Sequence, residues 1–197
     1  DDGIEAEGGQ INVRIWGNTY FNSGWNADFG LAKIVVGPTY VFRNVVIWKT
    51  SSGDNIIKLG DQTGYLFFYH NTFYSNNNKQ GFTKAGDGTT NNINNIISRN
   101  NILQIGNRVI AAWDTFADTN SFDYDNLYKP PGGYSDSYAT WDGGYYNFAE
   151  FRAGKPDQEI NGMSAISQFV DVPNNNFRLQ STSPNIDKGV ILLGFND

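Results

Sequence analysis

Two residue columns recur along this chain with one shared period, and no other feature constrains its fold as tightly. In the first, a short apolar or aromatic run leads to an asparagine, and an apolar residue follows after one variable position. Its copies are Val13-Arg14-Ile15-Trp16-Gly17-Asn18-Thr19-Tyr20, Val41-Phe42-Arg43-Asn44-Val45-Val46, Phe67-Phe68-Tyr69-His70-Asn71-Thr72-Phe73 and Ile96-Ile97-Ser98-Arg99-Asn100-Asn101-Ile102, with a weaker one at Asp123-Tyr124-Asp125-Asn126-Leu127-Tyr128. The asparagines at 18, 44, 71, 100 and 126 lie 26, 27, 29 and 26 residues apart. The second column comes earlier in each unit and centres on Glu5, Lys33, Lys58, Lys84 and Ala111, which lie 28, 25, 26 and 27 residues apart. Short strand-like runs with no helix between them do not suit a βαβ unit. A sandwich needs no two columns held in phase over five units, whereas stacked coils do, because each coil buries its apolar face only against its neighbours.

Composition agrees with one all-β domain built this way. Aromatic residues reach 15% against 17% charged, the reverse of a disordered chain. Glycines and asparagine clusters such as Asn174-Asn175-Asn176 supply turn positions at positive φ. No cysteine is present, which excludes thiol nucleophiles and cysteine-held metals. The net charge of −6 argues against nucleic acid as a partner. No apolar run is long enough to insert in a membrane as a helix, and the first residues are not a signal peptide. Asp1-Asp2-Gly3-Ile4-Glu5 reads as the middle of a repeat and Gly194-Phe195-Asn196-Asp197 as unfinished, so the expectation is a fragment of a longer chain with any signal sequence upstream.

With the tail Phe148-Ala149-Glu150-Phe151-Arg152, Phe169-Val170-Asp171, Phe177-Arg178-Leu179 and Ser183-Pro184-Asn185-Ile186-Asp187-Lys188-Gly189, these repeats resemble the right-handed parallel β-helix family that includes pectate-lyase-like proteins of secreted bacterial origin. The resemblance spans essentially the whole chain. It implies a solenoid of roughly 26-residue coils over 1–128 and a loop-rich closing segment of the same domain over 129–197. It also implies a secreted or cell-surface protein that acts on polysaccharide. A short helix is expected near Asn147–Arg152, covering the solenoid, and Tyr138–Tyr146 is read as a packing flap.

The columns assign roles. The asparagines are expected to hydrogen-bond one another from coil to coil. Ile15, Val41, Phe68 and Ile97, with Tyr20, Val46, Phe73 and Ile102, are expected to fill the interior. If Ala6, Ile34, Leu59, Ala85 and Ala112 point inward, Lys33, Lys58 and Lys84 stand outward as a row matched to a polyanion, or splay as an ordinary solvated face. A further row holds Gly17, Arg43, His70, Arg99 and Asp125, beside the aromatics Trp16, Phe42, Tyr69 and Tyr124. Aromatic platforms suit the apolar faces of sugar rings, and arginine forks suit carboxylates. The only histidine, His70, lacks partners for a triad or a multi-histidine metal site.

These residues outline a polysaccharide lyase. Lys33 or Lys58, its pKa lowered by like-charged neighbours, would remove the proton α to a uronate carboxylate while Arg43 or Arg99 holds that carboxylate. Lys84, His70, Arg99, Trp16 and Tyr69 would bind substrate. Asp1, Asp2 and Glu5 resemble the Asp-Asp-Gly segment that helps bind calcium in some β-helix pectate lyases. Two alternatives stand beside it. One is a non-catalytic structural, adhesive or glycan-binding β-helix. The other is a glycoside hydrolase drawing two carboxylates from Asp54, Asp61, Asp87 and Asp114.

Overall fold

The computed structural model describes residues 3–6, 8, 10–22, 29–31, 36–49, 55–60, 64–84, 93–112, 116–133, 135 and 137–195. Asp1, Asp2, Lys33, Ile34, Asp54, Asp61, Ala85, Asp87 and Asp114 lie outside the described residues.

Three short strands recur in each coil. Sheet A stacks β1 (Ile4–Glu5), β4 (Phe29–Leu31), β7 (Asn55–Leu59), β10 (Gln80–Lys84), β13 (Ile110–Ala111) and β16 (Ala139–Trp141). Sheet B stacks β2 (Val13–Trp16), β5 (Thr39–Phe42), β8 (Leu66–Tyr69), β11 (Ile96–Arg99) and β14 (Ser121–Asp123). Sheet C stacks β3 (Thr19–Phe21), β6 (Val45–Trp48), β9 (Thr72–Ser75), β12 (Ile102–Ile105) and β15 (Asn126–Tyr128). Every neighbouring pair within these stacks is parallel, so the chain is a parallel β-solenoid, as its repeats require.

Alternation along each strand sends every second side chain inward. Ile15, Val41, Phe68 and Phe122 share one interior file, interrupted by buried Ser98; Tyr20, Val46, Phe73, Leu103 and Leu127 share another. Phe29, Ile57, Phe82, Ile110 and Ala139 complete the core from sheet A. The coils also approach closely at their corners. A Cβ on Gly64 would lie 1.7 Å from the Val36 carbonyl oxygen, so only glycine fits there.

The fourth unit corrects the expected alignment. It carries two consecutive asparagines, and the second, Asn101, aligns with Asn71. Ser98 and Leu103 therefore face inward, while Ile97 and Ile102 stand on the outer faces, half-buried. The fifth unit shifts in the same way, placing Asp125 rather than Asn126 in line with Asn101.

Sheet A corrects the lysine row. Lys58 pairs with Gly30 on one side and Thr83 on the other, so Thr83 takes the place expected for Lys84. Lys84 pairs with Leu59 in the inward file and is only 7% exposed. The repeat there is Phe29-Gly30-Leu31 and Phe82-Thr83-Lys84, whose inward apolar residues set the register that the lysine spacing obscured.

Parallel stacking runs past residue 128, because β16 adds to sheet A before β17 (Gly144–Tyr146) folds back antiparallel on it. Trp141 is fully buried against Phe116 at 4.4 Å between ring centroids, so the stretch enters the core through Tyr138, Ala139 and Trp141 while Tyr145 stays exposed. Helix α1 (Phe148–Gly154) follows where a helix was expected. Asn147 caps it: its Oδ1 accepts from the Glu150 amide at 3.0 Å, and Glu150 Oε2 accepts from the Asn147 amide at 2.8 Å. Its one buried residue, Phe151, packs on Tyr138 and Trp141 and so covers this end of the core. Beyond it, the antiparallel hairpin of β18 (Phe169–Asp171) and β19 (Asn176–Leu179) lies on the outer face of sheet C.

Candidate functional site

The site begins at the corner between sheets B and C, which two files of residues build. The first of each corner pair, Gly17, Arg43, His70, Asn100 and Tyr124, has φ of 66°, 54°, 56°, 61° and 60°. Only glycine adopts that backbone without cost, so the repeated turn carries strain that its partners must hold. The second of each pair supplies the hold. Asn18 Nδ2 donates to Asn44 Oδ1, Asn44 Nδ2 to Asn71 Oδ1 and Asn71 Nδ2 to Asn101 Oδ1, at 3.0, 3.0 and 2.8 Å. Each accepting oxygen also takes the backbone N–H of the residue that donates to it. The second amide hydrogen of Asn44 and Asn71 goes to the carbonyls of Ile15 and Val41.

The file ends on a carboxylate. Asp125 Oδ1 accepts from the Asn101 side chain and backbone, and Oδ2 accepts from Ser98 Oγ at 2.7 Å. An aspartate has no hydrogen to pass on, so its backbone N–H continues the file to Glu159 Oε2 at 3.3 Å. Both carboxyls are buried. Desolvation pushes Asp125 up to about 6 and Glu159 well above the usual carboxylate range, with the Asp125 charge adding to the latter. Burial, with the nearby carboxylates, also holds the Tyr138 phenol protonated.

The outer face of sheet B is the second part of the site. Alternation places Arg14, Tyr40, Phe67 and Ile97 in one outward file, and Trp16, Phe42, Tyr69, Arg99 and Asp123 in the next. Parallel in-register strands bring equivalent residues of successive coils within one strand spacing, about 4.8 Å. Flat rings at that spacing stack. Trp16 lies 5.9 Å from Phe42 with 5° between planes, and Tyr40 lies 4.9 Å from Phe67 with 11°. Tyr65 extends the platform beyond Phe67 at 5.7 Å. Trp16 and Tyr65 remain 61% and 50% exposed.

Cations border this platform. The Arg14 guanidinium carbon stands 5.9 Å from the Tyr40 ring centre, and Arg43 Nη2 donates to the Phe195 carbonyl at 2.6 Å. Arg99 spends its fork on the carbonyls of Ser98 and Ser121 and on Ser121 Oγ, at 2.6, 2.8 and 2.7 Å. Burial raises the Tyr69 phenol above its ordinary value against the opposing pull of Arg99. A cleft of about 280 Å³ opens at the corner, lined by His70, Asn100, Tyr124, Asn161, Asn185 and Lys188. His70 Nε2 lies 3.4 Å from Asn100 Nδ2 there.

The structure thus brings Trp16, Tyr69 and Arg99 onto one face, with Arg43 and His70 on its adjoining corner. Two expected rows change membership. Arg99 belongs to the file of Trp16 and Tyr69, and Tyr124 belongs to the corner file of Arg43 and His70. Asp125 leaves the exposed row for the buried one. Lys58 stands apart on sheet A, and Lys84 is buried in that sheet's inward file. Glu5 is exposed on β1, and among the described residues no three histidine or acidic side chains gather as a metal centre. Tyr40, Phe67 and Tyr65 escaped the sequence reading, although their alternation with Phe42 and Tyr69 signals them. Glu159 and Phe195 carry no repeat signal at all.

The chain matches no protein-family model, no curated protein and no solved structure. Its architecture is that of a β-helix scaffold, and its site is read from its own residues. Among the described residues no helix is long and apolar enough to cross a membrane.

Proposed function

We propose that this chain is a carbohydrate-binding parallel β-helix of an extracellular protein, holding an acidic polysaccharide against the outer face of sheet B. One observation carries the reading. Aromatic rings stack coil over coil on an outward face, and the end member of the row, Trp16, keeps most of its surface in water. An exposed apolar row of this kind is a liability for a soluble domain unless something docks on it. Rigid flat rings match the C–H faces of pyranose units, and the bordering Arg14 and Arg43 match uronate carboxylates.

Binding is favoured over turnover because the proposed base and clamp stand apart: Lys58 lies on sheet A, Arg43 at the corner of B and C. β-Elimination would then need Lys33 as its base. Calcium at Asp1, Asp2 and Glu5 remains a proposal of its own, which calcium-dependent thermal stabilisation tests without reference to activity.

Calorimetric titration with an oligogalacturonate, run beside ultraviolet detection of unsaturated uronate products, tests the reading. Wild type binds and makes no unsaturated product, and Trp16→Ala binds about fivefold more weakly, the loss of about 1 kcal/mol expected for one stacked ring. Undiminished binding by Trp16→Ala would move the site off this face. Unsaturated product would restore the lyase.

A further inference from the structure

We propose that residues 190–195 form a strap that competes with the saccharide for the aromatic platform, so that binding requires the strap to lift. This inference rests on the platform reading above and adds its regulation.

The strap is held at its start and at its end. At its start, Asn100 Nδ2 donates to the Val190 carbonyl and Asn100 Oδ1 accepts from the Val190 N–H, both at 2.8 Å. At its end, the Phe195 ring sits 5.0, 5.2 and 6.0 Å from Tyr69, Phe42 and Tyr40, and its carbonyl takes the Arg43 hydrogen bond. Between these anchors Ile191 and Leu193 are 76% and 92% exposed, so the intervening chain buries little. A segment with such exposed side chains opens at low cost compared with the coils beneath it.

What the strap covers is what a sugar would need. Phe195 sets one ring against three platform rings, stacked on Tyr40 and edge-to-face with Phe42 and Tyr69, and offers a carbonyl oxygen to the guanidinium beside them. A pyranose bearing a carboxylate would set an apolar C–H face against the same rings and an oxygen acceptor against the same guanidinium. The two cannot share Tyr40, Phe42, Tyr69 and Arg43 at once. Trp16, at the end of the platform, lies outside the contacts of Phe195 and remains available for a first encounter. The apparent affinity is then lowered by the fraction of molecules with the strap down.

Phe195→Ala keeps the chain and removes the competing ring. It is expected to tighten oligogalacturonate binding about five- to tenfold, the equivalent of one or two ring contacts. Hydrogen exchange at the Val190 amide of the wild-type protein supplies a second readout, and it is expected to speed up on adding the oligosaccharide. Equal affinity of Phe195→Ala and wild type, with Trp16→Ala still weakened, overturns the strap and leaves the platform. Protection of Val190 that holds or increases with ligand overturns it as well. Absence of binding in every variant removes the platform reading and the strap with it.

Discussion

Sheets B and C are made by the same coils and meet at the same corner, yet their outer faces differ. Both carry large apolar residues at alternate positions. On sheet C, Ile47 and Tyr74 are buried under Phe169 and Phe177 of the β18–β19 hairpin, and Lys49 Nζ fastens that hairpin through the Val172 carbonyl at 2.7 Å. On sheet B, Phe195 is the one ring among the described residues that the hairpin-free tail lays on the platform, and Trp16 and Tyr65 stay at least half in water. An outward apolar residue is therefore neither core nor site by its type. Cover decides: a two-stranded lid makes a second small core, while a strap anchored at its ends leaves a surface that another molecule can take.

The comparison breaks most easily at the covered face. Phe169→Ala removes the buried centre of the lid and is expected to cost about 3 kcal/mol in urea unfolding. A cost as small as that of a surface substitution would mean that the hairpin rests loosely and sheet C is as open as sheet B. The corner that joins the two faces should be nearly as sensitive. Asn71→Ala strips a buried amide whose partners are Asn44, Asn101 and the Val41 carbonyl, an expected loss of about 2–3 kcal/mol by the same measurement.

A smaller effect follows the pH. Asp125 has its folded pKa raised from 3.8 to about 6, and burial with the Asp125 charge raises Glu159 well above the usual carboxylate range. A carboxyl with a raised folded pKa contributes stability that is complete below its unfolded pKa and is lost as pH rises through the folded one. The free energy of unfolding should therefore fall as the pH rises from about 4 to about 7. The double variant Asp125→Asn, Glu159→Gln should lose that slope. A midpoint that rises over this range would show the pair to be ionised and otherwise neutralised. The smallest stability effect belongs to the open face: Trp16→Ala should shift unfolding by less than about 0.5 kcal/mol while weakening saccharide binding. A large destabilisation would place Trp16 in a packed contact and close the difference between the faces.

The coil is legible in the chain alone. A shared period in two columns, alternating inward apolar residues and asparagines at the corner admit little else, because parallel in-register stacking makes each residue the neighbour of its counterpart one coil away. The capped helix at Phe148–Gly154 was equally local and equally legible. Where a unit was one residue longer, at Asn100-Asn101, counting to the nearest asparagine chose the wrong one of two, since identity alone does not say which side chain points inward. Spacing likewise drew Lys33, Lys58 and Lys84 together, whereas pairing between Phe29, Ile57 and Phe82 set a register that puts Lys58 outward and Lys84 inward. Which outer face is sealed, where Glu159 meets Asp125 and where Phe195 lands follow from the folded arrangement. These are contacts between residues far apart in the chain and outside any repeat. Their energies come from burial and complementary shape, which no local pattern encodes.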